Sequence, residues 1–332
     1  MRPAVATTHR GRFAVRQRGA AVLLAMLTVV LVATLAATAL WQQWRSVEIE
    51  ARERERLQAG WILVGALDWA RLILREDGRS GGPDHLAEPW SIALHDTRLT
   101  TFLAIEPGNT ELGDDAFLSG HITDAQARLN LGNLIVGNRV SERDLQAFER
   151  LFDSLGIDRS ELDTMVANLQ RTIGLATAEL ASDAQPVPIL PQRIGQLRWL
   201  GLSADTVQRL APHVSVLPTR TQLNLNTADA LVMAARIQDL DPSDARNLVA
   251  ARARAPFRNL ADVSRQLPQG VVALNPSEVG VSSRFFEVRG RLRLQDVVVT
   301  EIALVQRNGM SVTTVWRDRE VSAPAASADA SR

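Results

Sequence analysis

The hydrophobic pattern of this chain divides it into three stretches with different periods. From Ala20 to Leu40 no charged residue occurs, and the polar side chains there are the hydroxyls of Thr28, Thr34 and Thr38. At ~1.5 Å per residue a helix of that length reaches roughly 31 Å, the thickness of a hydrocarbon core. Helical spacing continues beyond it: Leu57, Trp61 and Val64 form one row, and Ile62, Ala66, Trp69 and Ile73 form a parallel one. Between the two parts, Glu48 with Arg52 and Glu50 with Arg54 stand at i, i+4 in the favourable order. One helix is therefore predicted from Ala20 to about residue 78, where Gly78-Arg-Ser-Gly-Gly-Pro breaks it.

The middle of the chain keeps a helical period in shorter pieces. Trp90 to Ile105 alternates imperfectly, as a strand or a strand plus a short helix would, and residues 106–115 form a turn-rich acidic loop. Ser141 opens a helix whose apolar face is Leu145, Phe148, Leu151, Phe152 and Leu155, with Gly156 as its stop. A second helix follows through Leu162, Met165, Val166 and Leu169, and a proline-rich linker covers residues 182–191. From Leu223 the chain reads as two helices around the turn Asp239-Leu-Asp-Pro-Ser-Asp; Asn226 or Thr227 would cap the first and Asp241-Pro242 or Ser243 start the second. The triplet Leu129-Asn130-Leu131 echoes Leu223-Asn224-Leu225.

At the C-terminus the period shortens to two. Residues 285–294, 297–307 and 310–317 are rich in Val, Phe, Ile and Thr, and Asn308-Gly309 is a strong hairpin signal. Three antiparallel strands are expected, with the apolar side of residues 57–74 covering one face. The small, polar tail from residue 320 is expected to be disordered.

Composition narrows the chemistry. The 332 residues carry 37 basic and 37 acidic side chains and no cysteine, so neither a global field nor a disulfide framework is available. All the basic residues are arginine, which excludes a Walker lysine and a Schiff-base lysine. His9, His85, His95, His121 and His213 lack a second histidine at metal-ligand spacing. No nucleophile elbow or paired catalytic signature is visible, and no catalytic residue is assigned. Glu106, Asn109, Glu111, Asp114 and Asp115 supply the oxygen ligands that calcium prefers, without the ordered spacing of a known calcium loop.

Arg2, Arg10, Arg12, Arg16 and Arg18 precede the apolar stretch with no acidic residue among them, which by the positive-inside rule keeps the N-terminus cytoplasmic. Ala37-Thr38-Ala39 would suit a signal-peptide cleavage site, but the apolar run is longer than an ordinary signal segment. A basic leader ending in Gly19, an apolar helix starting at Ala20 and an amphipathic continuation resemble the type IV pilins and the pseudopilins of type II secretion. The resemblance implies cleavage after Gly19 by a membrane-embedded prepilin peptidase and methylation of Ala20. Most of that family carry glutamate at the fifth mature position, where this chain has Leu24. Its absence and the length of the chain resemble the large K-type minor pseudopilins.

That resemblance implies an α+β, type IV pilin-like fold: a long transmembrane and amphipathic helix (20–78) packed on a small antiparallel sheet. Residues 1–19 would be leader, 79–120 the first part of the head, 121–282 a large all-α insertion and 283–319 the C-terminal sheet. The insertion would hold a helix-hairpin-helix or SAM-like unit at 221–270. The implied role is to initiate and cap, from its tip, a short periplasmic fibre anchored in the bacterial inner membrane. Implied partners are the I-, J- and H-type minor pseudopilins, the peptidase, the inner-membrane assembly platform and the lipid bilayer, and no nucleic acid. The competing reading is a membrane-tethered helix-hairpin-helix protein for DNA binding or uptake. Against it, the hairpin offers Asp239, Asp241 and Asp244 and no glycine, and residues 221–270 set six arginines against five aspartates.

Overall fold

The computed structural model describes residues 18–102, 116–177, 188–294 and 297–322. The chain divides into two compact units between Leu57 and Gln58. In the first, helix α1 (Arg18–Ser80) begins; its apolar part is the one described helix long and apolar enough to cross a membrane. Thr28, Thr34 and Thr38 each donate their hydroxyl to the carbonyl three residues back, at 2.8, 2.9 and 2.8 Å. These side chains therefore satisfy themselves on their own helix, as a hydrocarbon surrounding requires. Further on, Arg52 donates to Glu48 at 2.8 Å and Arg54 to Glu50 at 3.2 Å, the pairs expected from spacing.

In the second unit, α1 continues to Ser80, two residues past the expected end at 78. After it come β1 (Leu94–Arg98), a single turn α2 (Leu99–Phe102) and β2 (Ala116–Asp124). The insertion then supplies β3 (Leu129–Asn130), β4 (Ile135–Val136), β5 (Arg139–Val140), α3 (Glu142–Leu155), α4 (Arg159–Thr177), α5 (Ala204–Leu210) and β6 (Val214–Ser215). It continues through β7 (Leu223–Asn224), α6 (Ala230–Arg236), α7 (Pro242–Arg254), α8 (Leu260–Ser264) and β8 (Val279–Gly280). The chain closes with β9 (Phe285–Leu294), β10 (Val297–Asn308) and β11 (Ser311–Ser322).

The three expected C-terminal strands are part of a larger sheet. Five strands run β1-β2-β9-β10-β11, all antiparallel, because β2 pairs with β9 from Ala116↔Leu294 to Asp124↔Phe286. That pairing corrects two boundaries: the sheet strand continues through Asp124, so the insertion starts after it rather than at 121, and β11 extends to Ser322, past the expected tail boundary at 320. The β10–β11 loop is Gly309-Met310, with Gly309 at φ 60° in the position where a type II′ turn needs glycine.

Helix α1 covers one face of this sheet as expected, through a central row flanked by Ile62, Ala66 and Ile73 of the second expected row. Ala59, Leu63, Leu67, Ala70 and Leu74 are the buried positions, packed on Leu118, Ile122, Phe286, Val288, Leu292 and Val305. Leu57 and Trp61 point away, at 65% and 72% exposure. Periodicity found the helix and one side of its buried face, while the row of Leu57 and Trp61 turns outward, because apolar residues lie on more than one side of the helix. At one end Arg319 crosses from β11 to donate to the Gly60 carbonyl at 3.3 Å, and a Cβ at Gly60 would collide with its guanidinium.

The insertion has one continuous core, built from Leu131, Phe148, Leu151, Phe152, Met165, Leu197, Leu225, Met233 and Leu248 among others. It is not purely helical. β3 pairs with β6 and β7 with β8, both parallel, and β4 pairs with β5. The echo of Leu-Asn-Leu is thus a structural repeat: each triplet starts a segment that runs out through helices and returns as a strand parallel to its own first one. In both, the Asn Oδ1 accepts from the N–H two residues on, Gly132 in one and Asn226 in the other, at 2.9 Å each. The cap of α6 is Asp229, accepting from Val232 N–H at 2.7 Å, rather than Asn226 or Thr227; Asn226 exchanges two hydrogen bonds with the Phe257 backbone, and Thr227 is held in the buried network described below.

Candidate functional site

The chain carries no catalytic signature in its sequence, and its functional groups are contact surfaces and the charges that hold them. In the first unit, Ala20 and Leu24 lie on α1 with exposed side chains, and Gly19 lies within the same helix. Leu24 is 62% exposed and apolar in a helix whose neighbours along the stretch are equally apolar. Trp41 and Trp44 are exposed at the end of the apolar run, with Arg45 stacked over the Trp41 ring at 5.6 Å. An aromatic pair beside a cation suits a membrane–water interface.

In the second unit the outward side of α1 carries Trp61 and Leu72, with Gly65 between them in open space. Their spacing places them on one face. The protein's own sheet does not cover this row, and it is the feature the sequence offered without saying which way it faced.

The acidic residues proposed from the sequence for calcium, Glu106, Asn109, Glu111, Asp114 and Asp115, lie outside the described residues. A different carboxylate group converges where α1 ends: Asp77, Asp84 and Glu88 bring oxygens within 4.8 Å of one another. Arg307 on β10 already answers two of them, pairing with Asp77 and with Asp84, the latter at 2.5 Å. Burial pushes Asp84 up to about 6 against the pull of Arg307. Burial likewise pushes Glu88 up to about 7, although His85 N–H and Trp90 Nε1 both donate to it at 2.8 Å. The chemistry is that of a structural clamp between the helix end and the β10–β11 hairpin. Sequence reading missed it because Arg307, which ties the carboxylates together, lies more than two hundred residues from them.

The clamp is continuous with the joint between sheet and insertion. Asp124, buried at the end of β2, accepts from Gln126 N–H at 2.7 Å, Ser283 Oγ at 2.6 Å, Thr227 Oγ1 at 2.5 Å and Asn224 Nδ2 at 2.9 Å. Ser283 N–H donates to Asp84 at 2.6 Å, and Asn224 Nδ2 also reaches the Asp84 carbonyl at 3.1 Å. Burial raises the Asp124 pKa, and the four donors oppose that rise. On the second face of the sheet, Leu217 of the insertion packs with Phe285 and Leu304, and Arg193 stacks on Trp316 at 5.2 Å while pairing with Asp318.

The arginines of the hairpin region are partly turned inward. Arg236 is buried against Asp144 at 2.6 Å and Glu278 at 2.9 Å, and Arg252 donates to the Leu225 carbonyl at 2.7 Å. Burial pushes Arg252 down to about 10. Asp239 itself takes the left-handed turn position, φ 60°, where phosphate-binding hairpins place glycine. His213 Nδ1 lies 2.9 Å from Asp229, a packing role for a histidine with no metal-ligating company.

Comparison with known proteins gives the same division of the chain. Two family models described as "Type II secretion system (T2SS), protein K" match residues 127–219 and 223–282, the two halves of the insertion repeat. The type II secretion system protein K of Pseudomonas aeruginosa is 28% identical, covering 92% of this chain and 90% of that protein. The protein of the same name from Klebsiella pneumoniae is 28% identical over 91% of this chain and 96% of its own. Among solved structures, a chain in the GspK-GspI-GspJ complex of enterotoxigenic Escherichia coli superposes with a TM-score of 0.60 over 81% of this chain and 98% of that one, at 20% identity. At that identity the match speaks for the fold.

Proposed function

We propose, from the premise that this chain belongs to the protein K family of type II secretion systems, that it is the tip subunit of the pseudopilus. A minor pseudopilin is a structural subunit and no enzyme. The observation that carries the tip assignment is the pairing of the uncovered apolar residues Trp61 and Leu72 on α1 with a bulky insertion on the head. The row invites helices of neighbouring subunits, since burying it removes large apolar side chains from water. The insertion makes the subunit too wide to accept another above it. Partners of the I and J type follow by analogy with the complex named above, and an H-type subunit by the family's plan.

The pilin-like reading of α1 on its sheet, and the SAM-like reading of α6 and α7, rest on the same analogy. The anchor is the apolar helix in the inner membrane, N-terminus inside, on the strength of the arginine-only leader. Processing after Gly19 would free Ala20. Leu24 suits a subunit with no neighbour above it, because a carboxylate there would lack an amine to answer it in the bilayer. Glu106 and Asp114 carry oxygens of the class calcium prefers.

The test is co-purification of the full chain with tagged I- and J-type subunits after co-expression. Trp61→Glu should abolish capture while the mature N-terminus still begins at Ala20. Full capture by Trp61→Glu, or a mature N-terminus at Leu40, would overturn the reading.

A further inference from the structure

Where α1 ends, three carboxylates surround one guanidinium. Asp77 on the last turn of the helix, and Asp84 and Glu88 on the loop that follows, bring oxygens within 4.8 Å of one another. Arg307 pairs with Asp77 and Asp84, so a single cation already serves two of them. Glu88 is held by uncharged donors, His85 N–H and Trp90 Nε1, at 2.8 Å each.

The elements packed around Glu88 do not restore the balance. On α1 the remaining charges, Arg75, Glu76 and Arg79, pair with one another at the surface. On the loop the His85 ring accepts from Ala87 N–H at 3.2 Å. The end of β2 adds another acid, Asp124, joined to Asp84 through Ser283. Before β9, Arg284 lies over Phe285 at 6.0 Å and donates to the Arg220 carbonyl at 3.5 Å. Carboxylates this close and this removed from water resist being ionised together, so the group retains a proton. Its seat is Glu88, whose carboxyl burial pushes up to about 7, with Asp77 adding to the rise.

The loop that carries Glu88 has the means to move. It leaves α1 through Gly81 and Gly82, at φ 68° and 117°, with open space where a Cβ would stand. Beside it lies a cavity of about 380 Å³ lined by Gly78, Gly82, Glu88, Arg284 and Gly309. At the other end of the loop Trp90 is buried in the core beneath α1, edge-on to Phe286 at 5.3 Å. Glu88 therefore ties a glycine hinge to a core aromatic.

We infer that Asp77 and Glu88 share one proton, and that this proton fastens the 81–91 loop to the end of α1. Once Glu88 ionises, a third negative charge faces Asp77 and Asp84 across the single Arg307, and the loop swings on Gly81 and Gly82. Because Asp84 meets Asp124 through Ser283, and Asp124 holds Asn224 and Thr227 of the insertion, the loosening reaches the joint between sheet and insertion. The folded state holds the Glu88 proton more tightly than the unfolded chain, whose ordinary value is 4.5. Its contribution is complete below that value and is lost as pH rises through about 7.

The experiment follows hydrogen exchange, corrected for intrinsic rates, in the full chain in lipid nanodiscs. The reporters are the amides of Asp84, His85 and Ser91, which donate to the Val281 carbonyl, the Glu88 carboxylate and the Glu88 carbonyl. Protection there should fall at least about ten-fold between pH of about 5.5 and about 8. Glu88→Gln, whose amide donates to Asp77 as the protonated acid does, should keep the acid-side protection across the whole range. Asp77→Asn, which removes the charge facing Glu88, should move the loss to lower pH. Glu76→Gln, at an exposed acid on the same turn region, should leave the profile unchanged. Protection independent of pH in the unaltered chain, or an unchanged profile in both Glu88→Gln and Asp77→Asn, would overturn the shared proton. Recovery of protection at the alkaline end on adding calcium would assign the third carboxylate to a cation and overturn it equally, as would a profile moved as far by Glu76→Gln as by Glu88→Gln.

Discussion

The two halves of the insertion begin with the same three residues and use them differently. Asn130 and Asn224 both hold the N–H two residues on, yet Asn130 directs its amide to Asn133, Thr219 and Thr221, all within the insertion. Asn224 directs the same amide to Asp124, Ser283 and the Asp84 carbonyl, groups that belong to the sheet and the end of α1. The first half closes a turn on itself; the second wires the insertion to the head. A local motif therefore sets the turn, and its position in the chain decides whether it also serves as a joint.

The largest effect is expected where the joint is broken at its acceptor. Asp124→Ala leaves Ser283, Thr227 and Asn224 donors buried without an answer, and should lower unfolding stability by about 3–5 kcal/mol in urea titrations. Next come the two asparagines, each expected to lower it by about 2–3 kcal/mol when replaced by alanine. Equal losses would conceal the contrast, so hydrogen exchange is the discriminating measurement. Asn224→Ala should speed exchange at Phe285 and Phe286 where the sheet begins, while Asn130→Ala should speed it only within the insertion. Equal acceleration at both places would mean that the halves are not distinct.

A smaller effect should separate the halves by pH. The Asn130 turn contains no ionisable partner, whereas the Asn224 joint touches Asp84, whose pKa is raised to about 6 from an ordinary 3.8. The folded state thus holds that proton more tightly than the unfolded chain. Its contribution is present in full below about 4 and is lost as pH rises through about 6. Asp84→Asn should remove that part of the pH dependence between 4 and 6, and Asn130→Ala should leave it unchanged, as read from melting temperatures across the range. The smallest effect, about 1 kcal/mol, is expected for Gly309→Ala, which strains a turn at φ 60° outside both halves and serves as the control for general loosening.

Much of the architecture was legible because it depends on local chemistry. An uncharged run, i, i+4 ion pairs, Gly156 as a helix stop and Asn308-Gly309 before the last strand each act within a few residues. The Leu-Asn-Leu echo was visible too, though three residues could not reveal that each segment returns as a parallel strand. The site was less legible. The clamp joins Asp77 and Asp84 to Arg307, too distant in sequence for any spacing to show.

By itself the sequence determined a membrane-length apolar helix with an arginine-only flank, the order of helical and strand-forming stretches, and the absence of cysteine and lysine chemistry. Those properties follow from composition and short-range periodicity, which need no neighbours. Only the tertiary structure decided which side of α1 is buried. Apolar residues occupy several of its sides, and the choice went to Ala59, Leu63, Leu67, Ala70 and Leu74 because small and branched side chains there fit the ridges of the sheet, leaving Leu57 and Trp61 outward. It also decided that β1 and β2 join the C-terminal strands, since antiparallel pairing of β2 with β9 satisfies the backbone groups on one side of β9 that a three-stranded sheet would have left open.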